Sequence, residues 1–403
     1  MKKFLSLGPS PLANGFLKKE QLQFPEPYYP LDVYFCESCG LVQLIDVVPP
    51  EVMFRNYPYL SSMTYTLRTH FAMLASEIVE HFDLDSHSLV VDIGSNDGTL
   101  LKGFQSLNCN TLGVEPATNV AKIAEDAGVE TVNDFFSETI ASKVSRAKGK
   151  AKVITGTNVF AHINDLDGLL RGVNTLLHDN GVFIIEVPYL VDLIERREFD
   201  TIYHEHLSYY AVKPLAVLFK RFNMQIVDVK RISIHGGSIR VYVQKTSSKV
   251  HTAESLAELL ALEKKMRLDI AATYFEFAQY VANVRSRLVS LLSKLKLTGK
   301  RIVGYGAAAK GNTLLNYCKI GSETIDYIVD KTPLKQGLYT PGTHIPVMPP
   351  EKILEDMPDY VLTLAWNFLD EILKNEERYR ALGGKFIVPI PEPKILAQGI
   401  RAD

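Results

Sequence analysis

Residues 90–98 read Val-Val-Asp-Ile-Gly-Ser-Asn-Asp-Gly, an apolar run that leads into a glycine-rich turn. The run predicts a strand over residues 88–93, and the pattern after the turn predicts a helix over residues 98–107. Glycines at such a turn let the backbone approach a ligand, and a helix N-terminus favours negative groups. The spacing is not G-x-G-x-x-G, which counts against a dinucleotide-binding fingerprint. The stretch therefore predicts an α/β unit with a ligand site at the end of its first strand.

Strand and helix patterns alternate around this turn and do so again near the C-terminus. The alternation predicts two α/β units, each with a parallel sheet wrapped by helices. The predicted strands cover residues 88–93, 110–115, 152–155 and 181–187 in the first unit, and 301–305, 324–329, 359–364 and 385–389 in the second.

The regions outside the two units have different patterns. Residues 1 to about 60 lack helical periodicity and contain recurrent prolines, which is typical of a small irregular or β-rich module. A helix is predicted over residues 64–82, where apolar residues recur at three- and four-residue steps. Residues 251–297 contain neither proline nor glycine and predict one or two connecting helices. The predicted division is an N-terminal module at 1–63, a central domain at 64–250, a helical connector at 251–299 and a C-terminal domain at 300–403.

The composition excludes several classes of protein. The chain has 403 residues, of which 46% are hydrophobic and 22% charged, and this excludes disorder as its main state. Its formal charge of −2 gives no electrostatic reason to expect a nucleic-acid or acidic-membrane partner. The chain has no run of 18 apolar residues, and the apolar stretch at its start is too short for a signal peptide. Four cysteines predict a reduced, cytoplasmic protein. The oligomeric state stays open.

A second cluster of titratable residues lies at 202–210, which read Ile-Tyr-His-Glu-His-Leu-Ser-Tyr-Tyr. The cluster follows the last predicted strand of the first α/β unit, whose end reads Phe-Ile-Ile-Glu-Val-Pro-Tyr at residues 183–189. It therefore lies at the edge of the sheet where α/β proteins bind ligands. Histidine titrates near neutrality, which favours an acid/base site. On a strand, His204 and His206 would share one face and offer two metal ligands. A polar loop with aromatic packing is the third interpretation.

The glycine-rich turn resembles the first motif of class I S-adenosylmethionine methyltransferases. In that class the acid at the strand end, here Asp92, holds the methionine ammonium of the cofactor. Glu115 ends the next strand, where a carboxylate can bind both ribose hydroxyls. The competing interpretation is an ordinary α/β turn with a surface glutamate. The resemblance assigns cofactor binding to Asp92, Gly94, Ser95, Asn96, Gly98, Glu115, Asp134, Phe135 and Asn158.

Further motifs extend this resemblance over essentially the whole chain. They lie at residues 4–14, 30–32, 36–44, 57–62, 203–206, 235–240 and 303–310. In this order they resemble the sugar C-methyltransferase family, whose members act on nucleotide-linked keto-deoxysugars. The resemblance implies an N-terminal zinc-binding module, a central class I (Rossmann-like) methyltransferase domain that binds S-adenosylmethionine, and a C-terminal Rossmann-like domain that helps to hold the nucleotide sugar.

The resemblance also implies a chemistry, in which deprotonation next to a ketone is followed by attack of the enolate carbon on the sulfonium methyl. This needs a base near the carbon, donors for the oxyanion and an aligned methyl donor. His206 and Tyr203 are the candidate bases, and His206 is preferred because the reference pKa of tyrosine is about 10. Glu205 would orient His206 or bind a sugar hydroxyl, Tyr59 would line the site beside the methyl group, and His162 would reach the substrate or the cofactor.

The zinc module departs from the family pattern. The family uses two C-x-x-C pairs, because structural zinc takes four thiolate or imidazole ligands. This chain offers Cys36 and Cys39, so the module is expected to be truncated at its start or to have lost the site. Zinc held by these two thiols with other ligands remains an alternative. Cys109 and Cys318 lie in no motif and are predicted to be buried.

The C-terminal turn at residues 304–311 reads Gly-Tyr-Gly-Ala-Ala-Ala-Lys-Gly and could hold a pyrophosphate through backbone N–H groups. Taken alone it also fits an NAD(P)-dependent oxidoreductase, with Asp326 or Asp330 as the acid on the ribose. A non-catalytic protein that binds a nucleotide sugar is the third alternative. The resemblance assigns substrate binding to His235, Gly236, Tyr305 and Lys310.

Overall fold

The N-terminal part of the chain forms a small antiparallel sheet. The computed structural model describes residues 1–55, 57–248, 250 and 252–396, and these residues form three sheets. The first sheet has the order β1-β2-β3-β9, and its last strand comes from the middle of the chain. Its elements are β1 (Lys2–Ser6), β2 (Asp32–Phe35), β3 (Val42–Leu44) and β9 (Ser208–Tyr209), followed after β3 by the helix α1 (Pro50–Phe54).

The alternation of buried and half-buried residues explains this sheet. In β2, Val33 and Phe35 are buried and their neighbours are half-buried, as expected for a strand with one face on a core. The ring of Phe35 lies 4.6 Å from that of Tyr274, on a long helix of the connector. The connector therefore covers the N-terminal sheet.

The central sheet has seven strands in the order β10-β11-β8-β7-β4-β5-β6. Strands β4 to β8 are parallel, and β11 pairs antiparallel with both β8 and β10. The strands are β4 (Leu89–Ile93), β5 (Asn110–Val114), β6 (Thr131–Val132), β7 (Ala151–Thr157), β8 (Leu177–Pro188), β10 (Met224–Ile232) and β11 (Ser238–Lys245). The helices are α2 (Tyr65–His81), α3 (Thr99–Ser106), α4 (Thr118–Asp126), α5 (Glu138–Lys148), α6 (Leu166–Leu176), α7 (Leu190–Glu195) and α8 (Val212–Lys220). The predicted class I methyltransferase fold is confirmed.

Two helices form the connector, and a second α/β sheet follows them. The connector helices are α9 (Glu254–Lys265) and α10 (Ala271–Leu297). The C-terminal sheet has the order β14-β13-β12-β15-β16-β17, with β17 alone antiparallel to its neighbour. Its strands are β12 (Ile302–Tyr305), β13 (Ile328–Val329), β14 (Val347–Met348), β15 (Tyr360–Thr363), β16 (Lys385–Val388) and β17 (Lys394–Ile395), and its helices are α11 (Ala309–Cys318), α12 (Lys352–Asp356), α13 (Leu369–Asn375) and α14 (Glu377–Ala381).

Both α/β sheets have a point at which the strand order reverses. In the central sheet β4 lies between β5 and β7, and in the C-terminal sheet β12 lies between β13 and β15. Open α/β sheets bind ligands in the crevice outside the carboxyl ends of the strands at such a point. Within the described part of the chain, no helix is both long and apolar enough to cross a membrane.

Candidate active site

One cavity of about 800 Å³ lies at the carboxyl ends of both α/β sheets. Its wall combines residues of the N-terminal module, the turn after β4, the segment before β9 and the turn after β12. Of the residues predicted for the site, its lining includes Tyr59, Gly94, Asn96, Glu115, Phe135, Asn158, His162, Tyr203, His206, Tyr305 and Lys310. The fold therefore brings most of the predicted site to one place.

The turn after β4 requires glycine for steric reasons. Gly94 has φ +67°, and a Cβ added there would lie 2.7 Å from Cγ2 of Val159. Gly98 has φ +75°, and its added Cβ would lie 2.8 Å from Cγ2 of Val129. Side chains at both positions would strain the backbone and collide with a valine, half-buried Val159 in one case and buried Val129 in the other. Gly94 lines the cavity, whereas Gly98 shapes the turn from behind.

The acid at the end of β5 is tied to this turn. One carboxylate oxygen of Glu115 accepts from the N–H of Asn96 at 2.8 Å, and the other accepts from the N–H of Ala117 at 2.8 Å. Burial raises the pKa of Glu115. Each oxygen has a second lone pair for a hydroxyl donor, because a carboxylate accepts about four hydrogen bonds. Glu115 lines the cavity and can accept further hydrogen bonds there, and its role as a ribose ligand stays a prediction.

Asp92 lies beneath the cavity and is not part of its lining. The residue is buried, and its Oδ1 accepts a hydrogen bond from Thr155 Oγ1 at 2.7 Å. Burial, together with the charges of Glu115 and Glu186, raises its pKa to about 7, and the hydrogen bond from Thr155 acts in the opposite direction. Asp92 therefore lies close to the cavity without contributing to its wall, and its role toward the cofactor stays a prediction.

The other four predicted cofactor residues divide into two that line the cavity and two that do not. Ser95 is buried and its Oγ has no hydrogen-bond partner within the described structure. Asp134 is half-exposed and accepts from the N–H of Phe135, whose ring lines the cavity under the guanidinium of Arg55. Asn158 lines the cavity from the turn after β7, with φ +58°. Phe135 and Asn158 therefore face the cavity, whereas Ser95 and Asp134 do not contribute to its lining.

Tyr203 and His206 form a hydrogen-bonded pair on the cavity wall. His206 Nδ1 lies 2.7 Å from the carbonyl oxygen of Thr201, so this nitrogen carries the proton and donates. Nε2 is therefore an acceptor, and the hydroxyl of Tyr203 donates to it across 3.0 Å. Burial and the charge of Glu205 raise the pKa of Tyr203 well above its usual value. The pair is arranged so that the imidazole can receive the phenolic proton.

Glu205 does not have the predicted position. Its Oε1 accepts from Asn14 Nδ2 at 2.7 Å, and its Oε2 accepts from the Tyr57 hydroxyl at 2.8 Å. Burial raises the pKa of Glu205 to about 7. Asn14 and Tyr57 line the cavity and Glu205 lies behind them, so it positions these two side chains. Sequence analysis missed both, although each belongs to a motif that it singled out.

His162 and Tyr59 complete the wall near the base pair. The ring of His162 stacks on Phe54 with a centroid distance of 5.5 Å and lies 5.0 Å from the ring of His206. Burial lowers the pKa of His162 to about 4, so the imidazole is neutral at pH 7. Its Nε2 is buried and has no partner within the described structure. Burial raises the pKa of Tyr59 to about 12, so its hydroxyl stays protonated.

His204 and His206 do not form a metal-binding pair. Residues 203–206 form a turn rather than a strand, so the two side chains do not share a face. His204 Nε2 lies 3.1 Å from the carbonyl oxygen of Pro30, in the N-terminal module. The described residues contain no group of three or more His, Cys, Asp or Glu that could hold a metal ion. Cys36 and Cys39 are free thiols at a turn between β2 and β3.

The turn after β12 brings cations to the cavity. Gly306 has φ +91°, and Asp330 at the end of β13 accepts from the N–H of Ala307 at 2.7 Å. Lys335 Nζ donates to the carbonyl of Ala307 at 2.8 Å. Lys310 lies with its ammonium 4.9 Å from the ring centre of Trp366. Asp330 and Lys335 line the cavity with Lys310, so the wall here is rich in lysine.

Of the other two residues predicted to bind substrate, Gly236 is placed outside the cavity wall, and for His235 the role stays a prediction. Gly236 does not contribute to the cavity lining, and its carbonyl accepts from Arg196. A Cβ at Gly236 would lie 2.6 Å from Oε1 of the buried Glu198, so this glycine is required for packing. The side chain of His235 lies outside the described residues.

Comparison with known proteins decides the family. Three sequence models of protein families match in order: "Putative zinc binding domain" at residues 1–54, "Methyltransferase domain" at 66–229 and "C-methyltransferase C-terminal domain" at 233–391. The chain is 39% identical to C-methyltransferase NovU from Streptomyces niveus over 393 residues, which cover 98% of this chain and 94% of that protein. The chain belongs to this C-methyltransferase family. It is an S-adenosylmethionine-dependent C-methyltransferase.

Solved methyltransferase structures match part of the chain at low identity. An S-adenosylmethionine-dependent methyltransferase from Clostridium acetobutylicum matches with a TM-score of 0.35 and 14% identity, covering 44% of this chain and 92% of that one. Magnesium protoporphyrin IX methyltransferase from Synechocystis matches with a TM-score of 0.34 and 10% identity, covering 44% of this chain and 79% of that one.

Family membership confirms some predictions and corrects one. The methyltransferase prediction is confirmed, and the oxidoreductase and non-catalytic alternatives are not supported. The expectation of a truncated N-terminal module is wrong, because the zinc-domain model matches residues 1–54 and these residues form the first sheet. S-adenosylmethionine fits the part of the cavity next to the central domain, since the buried acids Asp92 and Glu115 near the glycine turn complement a cationic ligand.

Proposed function

We propose that this methyltransferase acts on a nucleotide-linked keto-deoxysugar, and that it methylates a carbon next to the ketone. The supporting observation is the division of charge within one cavity. Acids alone lie at the cofactor turn, whereas three lysines, Lys310, Lys331 and Lys335, line the opposite wall at the C-terminal turn. Two acids share that wall: Asp330 braces the turn, and Glu371 pairs with Lys331 at 3.4 Å. Lysines beside a glycine turn suit a diphosphate.

Bound S-adenosylmethionine supplies an electrophilic methyl group, and the residues of this chain make the acceptor carbon nucleophilic. The phenolic oxygen of Tyr203 takes the proton from the carbon while its own proton passes to His206 Nε2. The carbonyl of Thr201 accepts from Nδ1 and stabilises the imidazolium that forms. The high pKa of Tyr203 would otherwise keep its hydroxyl protonated, so His206 is the group that makes the pair basic.

The negative charge that develops on the ketone oxygen needs a donor. We assign this role to His162, whose buried Nε2 has no other partner within the described structure. Its depressed pKa keeps the ring neutral, so it can donate an N–H without carrying a charge into the apolar wall. Since all four cysteines are free thiols, we also propose that the reaction takes place in the cytoplasm.

His206→Ala tests the assignment of the base. We expect turnover to be lost, with the affinity for S-adenosylmethionine within about threefold of wild type, because proton transfer contributes about 10²–10⁴-fold. Binding is measured by calorimetry and turnover by formation of S-adenosylhomocysteine. His87→Ala, at an exposed position, is the matched control. Retained turnover in His206→Ala would refute the assignment.

The acceptor is tested with a matched pair of substrates. A keto-deoxysugar joined to a nucleoside diphosphate and the same sugar without the nucleotide are offered at equal concentration. We expect kcat/KM to be about 100-fold higher for the nucleotide-linked sugar, because remote contacts to the nucleotide contribute binding energy to the reaction. Equal rates with the two sugars would exclude the nucleotide as a recognition element.

A further inference from the structure

Residues 57–62, here called the strap, join the N-terminal module to α2 and are held down by side chains. Asn119 bonds both backbone groups of Tyr57: its Oδ1 accepts from the N–H at 3.0 Å, and its Nδ2 donates to the carbonyl at 2.9 Å. Asn96 bonds the strap in the same manner, accepting from the N–H of Ser61 at 2.8 Å and donating to the carbonyl of Tyr59 at 3.1 Å. Two side-chain amides therefore replace the backbone partners that a neighbouring strand would offer.

A fifth hydrogen bond ties the strap to the turn after β4, where the cofactor is predicted to bind. Asp97 Oδ2 accepts from the N–H of Ser62 at 2.9 Å. Asn96 and Asp97 lie in the turn after β4, and Asn119 lies in the first turn of α4, just after β5. The strap thus crosses the carboxyl ends of two neighbouring strands, where a class I methyltransferase binds its cofactor.

The side chains of the strap face the cavity. Tyr57, Tyr59 and Ser61 all line it. The hydroxyl of Tyr57 donates to Glu205, two residues from the proposed base Tyr203. The backbone N–H of Asn96 also donates to Glu115. The strap therefore links Glu115 to the segment that contains Tyr203. Hydrogen bonds join it to Glu115 through Asn96 at one end and to Glu205 through Tyr57 at the other.

We propose that Asn96 and Asn119 are positioning residues that clamp the strap over bound S-adenosylmethionine and thereby place Tyr57 in the acceptor half of the cavity. The side chain of Asn96, which the sequence assigns to the cofactor, serves the strap through both its oxygen and its nitrogen. The cofactor can then enter and leave only when these bonds open. The inference rests on the methyltransferase activity and is independent of the identity of the acceptor.

Asn119→Ala tests the clamp through the kinetics of cofactor binding. Immobilised enzyme is titrated with S-adenosylhomocysteine by surface plasmon resonance. Loss of two hydrogen bonds is expected to raise the dissociation rate and the association rate together, each by about tenfold. A general loss of structure would raise the dissociation rate alone, so the paired increase is specific to a clamp. Lys122→Ala, at an exposed position on the same helix, is the control and is expected to keep both wild-type rates.

Asn119→Asp is the second variant. Its carboxylate still accepts from the N–H of Tyr57 but no longer donates to the carbonyl, so intermediate rates are expected. This variant decides the question if Asn119→Ala does not fold. Hydrogen exchange of the wild-type strap is the independent readout, with protection of the amides of residues 57, 61 and 62 expected on cofactor binding. Unchanged rates in the variants, or no protection of the strap, would overturn the proposal.

Discussion

The turns after β4 and β12 have the same construction but differ in the charged side chains around them. In each, a glycine with positive φ follows the first strand of an α/β sheet, and an acid follows the second strand. Glu115 accepts from N–H groups of Asn96 and Ala117, and Asp330 accepts from those of Ala307 and Thr332. Both acids therefore brace the turn and accept from the N–H group two residues further along the chain.

The surroundings of the two turns differ. Beneath the central turn, Asp92 and Glu186 are buried close enough for the charge of Glu186 to raise the pKa of Asp92. At the C-terminal turn, Lys335 donates to the turn itself and Lys310 lies on the first helical turn that follows. We propose that the same backbone geometry holds a cationic ligand in one sheet and an anionic ligand in the other. On this proposal, the backbone forms a similar binding turn in both sheets, and the neighbouring charges determine which ligand binds.

The largest expected effect comes from adding a methyl group to each turn. Gly94→Ala should weaken S-adenosylmethionine binding by about 100-fold, because left-handed strain and a contact with Val159 add together. Gly306→Ala, whose Cβ would lie 2.6 Å from that of Ala365, should weaken acceptor binding to a similar degree and leave the cofactor unaffected. Calorimetry with each ligand measures both variants.

Gly128→Ala is the matched control for these variants. It has φ +83°, and an added Cβ would have no atom within 4 Å, so it isolates the cost of the backbone conformation. If Gly94→Ala and Gly306→Ala weaken the same ligand, the assignment of one ligand to each turn is wrong.

A smaller effect is expected from removing one cation. Lys310→Met should weaken binding of a nucleoside diphosphate by about tenfold, because a charge-assisted hydrogen bond contributes about 1.5–3 kcal/mol. The affinity for S-adenosylmethionine should not change, since this lysine lies at the other turn. Titration at two salt concentrations should show a weaker salt dependence in the variant than in wild type. An unchanged diphosphate affinity would remove Lys310 from the proposed subsite.

The smallest expected effect is on pH dependence. Burial raises the pKa of Asp92 to about 7, above its unfolded value near 4, so the native state without cofactor binds the extra proton. Its contribution to stability is therefore full below about pH 4 and is lost as the pH rises to about 7. A cationic ligand favours the ionised form of Asp92, so the affinity for S-adenosylmethionine should rise about threefold from pH 6 to pH 8.

Asp92→Asn isolates this contribution. Glu205 and Asp200 also have pKa values raised by burial, to about 7 and about 6, so the difference between wild type and variant is the informative quantity. The variant should bind the cofactor with a flatter pH profile in calorimetry. Identical profiles would show that Asp92 does not sense the cofactor charge.

The sequence predicts the longer parallel strands, because each is an apolar run that ends at a turn. It does not predict the two-residue parallel strands β6 and β14, which are too short to have a pattern, or the antiparallel pair β10 and β11. It also misses β9, whose two residues have no pattern of their own. That strand exists because the backbone of β3 offers it hydrogen bonds.

The site residues likewise divide into those that a local pattern predicts and those that depend on distant contacts. Tyr203 and His206 could be predicted because they are three positions apart and a local turn brings them together. Glu205 could not, because its partners Asn14 and Tyr57 lie 191 and 148 residues away. The hydrogen bonds between Asn119 and Tyr57 could not be predicted either, because they depend on how the N-terminal module packs against the central sheet.

The strand β9 constrains how this enzyme can be recombined with its relatives. β9 directly follows the catalytic turn, yet it completes the sheet of the N-terminal module, with Val42 opposite Tyr209. A chimera that exchanges residues 1–54 must therefore re-form this pairing with foreign side chains, and it also replaces Asn14. The N-terminal module and the turn at residues 203–206 should therefore be exchanged together. We expect a chimera to take on the acceptor preference of a parent only when both parts come from that parent.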